Sequence, residues 1–402
     1  MKIIYLLIFF LFSIVCSGQK IEGIVKDSLS NEPISFIHIY SEELEIGTLS
    51  NEEGEFSFSI PDSFNSDSIE VVFSHVGYGK IIKVIHLNKY NKISILAEKI
   101  MLDEVIARNE GNKIASKISS WLKTNSARYG YGFYRQVSYQ DTLATEYVEA
   151  FYKVSVSRNE VKGIKQNQAR FARKKTTKES PYMIFQNFPF ATTMIKIISG
   201  ENSSIITPFS EKGLQNYTFE IIDRYKVDEE TFVIMNCNPP QLDENSDSNL
   251  WISSEVIFSV NQGKLIQYEA IINNGLGAEN ITGMDSEVKV RVDNSQYRWI
   301  ISFDNSSGVI NQIRTIYDYD YWVNNTKYPS RVESKFLIYE FTDKKLRRLS
   351  EPKLDDLTIS DIEKAKYRPA FWSKNPVIKR IEKEEKIIRT FEEENAFGSY
   401  FN

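Results

Sequence analysis

The chain has 402 residues, 42% of them hydrophobic and 26% charged, with a formal net charge of −5. That length exceeds one ordinary core, so two or three domains are expected, and the composition excludes a disordered or fibrous chain. Aromatic residues make up 13%, with 22 Tyr and 25 Phe, a bias toward strands.

Lys2 is followed by an uncharged apolar run from Ile3 to Val15, then by Cys16-Ser17-Gly18-Gln19. The run is too short to span a bilayer and suits the centre of a secretory signal, with Gly18 as the small residue before the cut. Residues 1–18 are therefore read as a signal peptide, Gln19 as the first mature residue, and the chain as exported. An acylated Cys16 is the rival reading, disfavoured because Val15 is not small and Ser13 stands where a Leu is usual. No later run is long and apolar enough for a transmembrane helix in the mature chain. Cleavage leaves Cys237 as the sole cysteine, so burial alone must hold the cores. Within TFVIMNCN that residue reads as a small buried strand side chain and not as a nucleophile.

Residues 19–105 carry 7 Lys/Arg against 15 Asp/Glu, whereas residues 106–402 carry 41 against 39. Such a contrast marks separate domains. The first segment reads as short strands between turn signals: KIEGIVKD, ISFIHIY after Asn31-Glu32-Pro33, GEFSFSI, IEVVFSHVGY, IIKVIHL and ISILAEKIML. Alternation puts Phe56, Phe58 and Ile60 on one face, and likewise Ile69, Val71 and Phe73. This many short strands predict a small antiparallel β-sandwich. In GTLSNEEGEFSFSIPD, residues 47–62, Gly54 falls where a hairpin reverses and is expected at positive φ. Glu52, Glu53 and Glu55 read as solvated loop carboxylates, because the alternating Asp/Asn and terminal Glu of a calcium loop are missing.

Gly23-x-Val25-x-Asp27, Pro33-Ile34, Gly47-Thr48-x-Ser50-Asn51-x-x-Gly54-x-Phe56 and Ser74-His75-Val76-Gly77-Tyr78 together resemble the carboxypeptidase-like regulatory domain. The resemblance implies a transthyretin-like β-sandwich in an envelope protein of a Gram-negative bacterium, in the periplasm or associated with the outer membrane. MLDEVIAR, Met101 to Arg108, is similar to the exit segment that follows this module in outer-membrane receptors. Here no long series of amphipathic strands of about ten residues follows, so no transmembrane barrel is expected. The family accompanies zinc carboxypeptidases without containing their catalytic site. A zinc centre needs spaced His and Glu ligands, whereas His38, His75 and His86 are dispersed through this module and read as packed or rim strand residues. No metal or cofactor is expected.

From residue 106 the period changes. NKIASKISSWLKTNSA, residues 112–127, spaces Ile114, Ile118, Trp121 and Leu122 as an amphipathic helix. GYGFYRQVSY and YVEAFYKVSVS follow as aromatic strands, and residues 217–342 hold a weak hairpin repeat. Its units are YTFEIIDRYKVDEETFVIMN, EVIFSVNQGKLIQYEAII and RWIISFDNSSGVINQIRTIY, with YPSRVESKFLIYEF as a further strand. The meander predicts one large curved antiparallel sheet, similar in architecture to the half-barrels of periplasmic lipoprotein carriers. The Pro-punctuated segment from residue 346 is expected to pack through Tyr367, Phe371 and Trp372. A C-terminal helix then turns Ile381, Ile387, Ile388 and Phe391 to one side, its charges read as a solvated face. The expected fold is mainly β: signal 1–18, transthyretin-like antiparallel β-sandwich 19–105, larger β-rich α+β domain 106–345, and tail with C-terminal helix 346–402.

Residues 106–402 contain no histidine, which removes Ser-His-Asp and Cys-His catalysis and His-ligated metals from that part. Carboxylate chemistry remains: in YDYDYW, residues 317–322, Asp318 and Asp320 share a strand face with Trp322, and paired acids beside an aromatic are the sharper, glycosidase reading. The favoured reading is a wet strand face opposite Tyr317, Tyr319 and Tyr321. RNEVKGIKQNQARFARKKTTK, residues 158–178, reads as a solvated basic loop; nucleic acid is not an expected partner outside the cytoplasm, and anionic lipid is the sharper alternative. No catalytic, cofactor-binding or metal residue is assigned. The expectation is a non-catalytic envelope protein that binds or scaffolds, with an envelope protein, glycan or lipid as its partner; the resemblance of the module implies a place beside an outer-membrane transport system. A glycan hydrolase and a lipid or lipoprotein carrier are the alternatives.

Overall fold

A computed structural model describes residues 19–61, 64–75, 78–96, 100–101, 110–124, 127–174, 205–227, 229–241, 250–273, 281–282, 289–304, 306–323, 325–352, 362, 365–372 and 377–398. The signal reading of 1–18, most of MLDEVIAR and the end of the basic stretch at 175–178 lie outside the described residues.

Alternating apolar residues build the N-terminal module from β1 (Lys20–Asp27), β2 (His38–Ser41), β3 (Ile46–Leu49), β4 (Glu55–Ser59), β5 (Ser68–His75), β6 (Gly79–His86) and β7 (Tyr90–Ile95). β4-β1-β7 form one sheet, while β6-β5-β2-β3 run side by side in another. Ile21, Val25, Ile39, Phe56, Phe58, Ile69, Val71 and Phe73 fill the space between them. Burying each such side chain contributes roughly 1.5–3 kcal/mol. Two details depart from the sequence reading. β1 and β7 pair in parallel, with Glu22 opposite Tyr90, and residues 46–49 form a strand that is not among those expected from the sequence. Thr48 and Leu49 are buried there against the rest of the chain.

The Gly54 turn is an architectural device. Gly54 has φ +73°, its carbonyl accepts from the Val25 N–H at 2.8 Å, and an added Cβ would stand 2.5 Å from the Val25 carbonyl oxygen. The buried Asn51 side chain closes the turn by accepting from the N–H groups of Glu53 and Glu55, both at 2.9 Å. The Ser50 hydroxyl donates to the Ile34 carbonyl at 2.7 Å and accepts from the Ile37 N–H at 3.0 Å. The polar residues of the motif thus satisfy backbone groups of the sandwich.

The following segment comprises β8 (Ile100–Met101), α1 (Glu110–Lys123), β9 (Arg128–Gln140), β10 (Leu143–Val156), β11 (Val161–Arg173), β12 (Ile205–Ile206), α2 (Glu211–Asn216), β13 (Thr218–Val227) and β14 (Glu230–Asn238). Then come β15 (Leu250–Trp251), β16 (Ser253–Ser259), β17 (Lys264–Asn273), β18 (Ile281–Thr282), β19 (Lys289–Phe303), β20 (Ile310–Val323), β21 (Thr326–Thr342), α3 (Pro369–Trp372) and α4 (Glu382–Glu393). The long strands make one curled antiparallel sheet in the order β11-β10-β9-β21-β20-β19-β17-β16-β14-β13. β21 joins its two meanders, pairing β20 from Gln312↔Leu337 and β9 from Ser330↔Gln140. β8 lies along β13 at one edge, and bridges from Ser350 and Phe397 cover β11 at the other.

The two sheet faces have different tasks. Inside the curl, Tyr268, Tyr297, Trp299, Ile313, Tyr317 and Tyr319 belong to one buried apolar cluster that also takes in Ile114, Ala115, Ile118 and Leu122 of α1, the helix itself lying against β13 and β17. Cys237 lies in this core, and burial pushes its thiol up to about 12, which removes it as a nucleophile at neutral pH. On the outer face, Phe133, Phe151 and Leu337 form a cluster with Leu49 of the module and Trp372 and Ile378 of the tail. Ile387, Ile388 and Phe391 of α4 pack beside it on Val137, Tyr139 and Tyr147. Among the described residues no helix is long and apolar enough to cross a membrane.

The turn makes a direct prediction. Gly54→Ala puts a Cβ against the Val25 carbonyl at a positive φ, and should destabilise the protein by about 1–3 kcal/mol in urea unfolding.

Candidate functional site

β9, β10 and β11 place opposite charges in register on the outer face. Glu149 stands opposite Arg135 on one side and Arg170 on the other. Glu149 is fully buried. Its Oε1 accepts from Arg135 Nε at 2.9 Å and Tyr147 OH at 2.8 Å, and its Oε2 accepts from Arg170 Nε and Nη2 at 2.8 and 2.6 Å. Arg380 of the tail approaches Oε1 at 3.6 Å. Arg135 also donates to Glu384 of α4 at 3.0 Å and to the Ile378 carbonyl at 2.8 Å. Burial alone would raise the Glu149 carboxyl, but Arg170, Arg135 and Arg380 outweigh it and hold the group far below the usual carboxylate range.

This network corrects two sequence readings. The basic stretch from 158 is not a solvated loop over its described length, because 161–173 is β11 and Arg170 is 2% exposed. Arg173 likewise meets Glu146 at 2.7 Å. The charges of the last helix are not uniformly a solvated face, since Glu384 is buried on Arg135. The missed signal lies in the strands themselves: Arg135 falls between Phe133 and Val137, and Glu149 between Tyr147 and Phe151, on faces otherwise apolar. Recognising it requires the register, which single strands do not reveal.

Beside the network, the module, the sheet and α4 converge on a cleft of about 290 Å³. Glu52 enters from the Gly54 turn, Arg314 from β20, Arg331 and Lys335 from β21, Lys383 and Glu384 from α4. Lys335 Nζ meets Glu52 at 2.7 Å. Burial would raise Glu52, yet Lys335 and then Arg314 outweigh it, so the carboxyl lies below its ordinary value. Lys379 pairs with Glu55 at 3.0 Å. Two of the three turn carboxylates expected in solvent therefore face cations of the rest of the chain.

Arg314 is held differently. Its guanidinium lies 3.6 Å from the centroid of Phe36, a residue at φ +59° and thus in a region rare for a bulky side chain. Among the described residues no carboxylate lies within ion-pair distance of Arg314. Burial lowers its pKa despite the attraction of Glu52, Glu333 and Glu269. Lys383, exposed on α4, has its ammonium 4.1 Å from the centroid of the Tyr139 ring. Both cations rest on aromatic faces and remain open to a counter-charge.

The sequence-derived candidates lie elsewhere. Asp318 and Asp320 face outward while Tyr317, Tyr319 and Tyr321 are buried, as the alternation required. Asp318 is raised by burial against the pull of Arg331, 3.4 Å away. Asp320 takes Lys327 at 2.6 Å and Asn294 at 2.7 Å. Neither lines the cleft. His38 stacks on Tyr40 at 4.9 Å and stands opposite Ser74 in register, so His75 faces the other side; His86 lies at the far end of β6. Among the described residues no cluster of three metal-ligating side chains forms.

Two outcomes test these assignments. Glu149→Gln leaves buried arginines without their carboxylate and should cost about 3–5 kcal/mol in urea unfolding. Because Glu149 is depressed, its contribution is present above the unfolded pKa and lost as pH falls through the folded value; the gap between wild type and variant should stay flat above pH ~5 and narrow toward acid. Asp318→Asn with Asp320→Asn should shift stability by no more than about 1 kcal/mol in urea unfolding, since Asp318, Arg331 and Lys327 face solvent and Asn can keep the hydrogen bonds of the less exposed Asp320.

No curated protein matches the chain. Among solved structures, a DUF1329 family protein from Desulfovibrio piger is 9% identical over 60% of this chain and 95% of its own, with a TM-score of 0.24. A LolA superfamily protein from Nitrosomonas europaea is 11% identical over 61% of this chain and 96% of its own, with a TM-score of 0.20. The translocation pore of the P pilus usher is 10% identical over 80% and 76%, with a TM-score of 0.14. Scores of this size support no functional argument. The module is another matter: residues 21–107 match the family model of the CarboxypepD_reg-like domain, which is the domain its motifs and sandwich describe.

Proposed function

We propose that the protein is a non-catalytic binding component of the cell envelope, exported and accessory to an outer-membrane transport system. Its ligand presents an anionic group, such as the carboxylate of an acidic glycan, to the cleft between the regulatory-like module, the curled sheet and α4. The carrying observation is Arg314, desolvated on Phe36 without an ion-pair partner among the described residues. A carboxylate bridging Arg314 and Lys383 would supply that counter-charge through charge-assisted hydrogen bonds. The non-catalytic reading rests on the carboxylates at the site. Glu52 is below its ordinary pKa and paired with Lys335, Glu333 is paired with Arg331, and Glu384 is engaged by Arg135 and by the Ile381 N–H. Each of these carboxylates is engaged by a cation and is not left free as a general acid or base. The envelope placement rests on the signal-like residues 1–18 and on the family of the module.

Calorimetric titration of the mature chain with citrate and with trigalacturonate tests the proposal. Wild type should bind one of them saturably, and Arg314→Gln should weaken binding between roughly tenfold and a hundredfold, the size of a hydrogen bond to a charged group. Neither compound should be cleaved. Absence of saturable binding, an unaffected Arg314→Gln, or turnover of the glycan would each overturn the proposal.

A further inference from the structure

The chain leaving β21 forms a second cationic feature that shares no residue with the cleft. Tyr129 of β9, Ser155 of β10 and Gly163 of β11 stand in one cross-strand row. The segment after β21 crosses that row and is fastened at its far end by reciprocal backbone hydrogen bonds between Ile164 and Ser350, at 2.8 and 2.9 Å. Gly163 permits the approach, since an added Cβ there would lie 2.8 Å from the Leu349 Cβ. Leu346 and Leu349 are half-buried, whereas Lys345, Arg347 and Arg348 are exposed. The result is a groove of about 400 Å³ lined by these three cations, Lys162, Tyr129 and Ser155.

No carboxylate is among the lining residues. Of the neighbouring acids, Asp343 lies 3.9 Å from Arg128, which is outside the groove, and Glu160 lies 3.8 Å from Lys162 on the groove wall, so the charge in excess is that of Lys345, Arg347 and Arg348. Arg348 has φ +60°, a left-handed conformation uncommon for a long side chain, held by the anchored loop around it. The leucines fix the backbone, and the cations between them converge on one open volume lined by two hydroxyl-bearing residues. Guanidinium, ammonium and hydroxyl donors around one space are the donor set that suits a tetrahedral oxyanion.

We propose that this groove binds phosphate groups. The shared chemistry is a phosphate carried either by a lipid headgroup at a membrane surface or by a free soluble anion. Arg347 and Arg348 supply forked N–H donors, Lys345 and Lys162 supply point charge, and Tyr129 and Ser155 supply neutral hydroxyl donors.

The test uses the full mature chain with two probes: inorganic phosphate followed by calorimetry, and flotation with phosphatidylcholine vesicles with or without phosphatidylglycerol. Saturable phosphate binding without vesicle binding assigns the free anion. Flotation with the phosphatidylglycerol vesicles but not with phosphatidylcholine alone assigns the headgroup. In either case Lys345→Gln, Arg347→Gln and Arg348→Gln together should weaken binding on the order of a hundredfold, because each cation near an anionic surface contributes separately. Binding should fall with added salt. Arg348→Asn, which keeps the left-handed backbone, should lose part of the affinity while the fold is retained. Arg314→Gln should leave this site intact, so failure here and failure of the cleft are distinguishable. The proposal is overturned if neither probe binds, or if the triple variant, still folded by circular dichroism, binds as wild type does.

Discussion

Glu149 is the constraint around which the outer face is organised. One carboxylate at the centre of three strands is met by Arg135 and Arg170 from its cross-strand neighbours, so the two strand pairings leave the cluster with one positive charge in excess. Glu384 of α4 supplies the missing negative charge, and Arg380 adds a cation balanced outward by Glu385 at 3.3 Å. The outer face is therefore electrostatically incomplete until the tail docks. Replacing such a network by apolar residues is often neutral or stabilising, so its value lies less in stability than in selecting one docking position. Trp372 and Ile378 bury area in many registers, but Glu384 meets Arg135 in one.

The same logic links the module to the sheet. Its excess of acid, which in sequence marks a separate domain, is directed in part at the cations of its neighbour: Glu52 at Lys335 and Glu55 at Lys379. Both glutamates flank Gly54, so the turn that closes the sandwich also presents its charges. Thr48 donates to the Val377 carbonyl of the tail, Leu49 enters the shared apolar cluster, and Ile46 bridges to Glu340 of β21. Module, sheet and tail thus meet at one seam, and the cleft is the part of it where cations outnumber carboxylates.

Elements were legible where one period dominates locally. Phe56, Phe58 and Ile60, the Tyr317-Tyr319-Tyr321 row and the α1 stripe all lie on the faces their spacing predicts, because each pattern is settled within one element. Gly54 was legible for the same reason, a turn being a local object. What escaped was relational. Glu149 in YVEAFYKV looks like any strand charge until Arg135 and Arg170 stand opposite it, and Arg170 within a basic run resembles a loop until β10 pairs with it. Thr48 and Leu49 form a strand because β2 and the tail flank them, which no window of residues 46–49 contains. The cleft combines residues from 52 to 384, and its distinguishing feature, a cation stacked on a ring without an ion-pair partner among the described residues, cannot be defined before the contacts exist.

The inner face limits where a ligand can be held. A curled sheet offers a concave surface; among the described residues α1 packs on part of it, against β13 and β17, and Trp299, Tyr268 and Tyr317 are buried in the same apolar cluster. Opening such a cluster to a ligand would expose side chains that contribute roughly 1.5–3 kcal/mol each when buried. The outer side is built differently, from three segments joined by charges and a small apolar cluster, with polar volume between them. Recognition at such a seam needs no rearrangement of the core, and the aromatic rings beneath Arg314 and Lys383 keep those cations in position before a ligand arrives. Preorganised charge of this kind gains affinity by avoiding the ordering cost that flexible surface side chains would incur on binding.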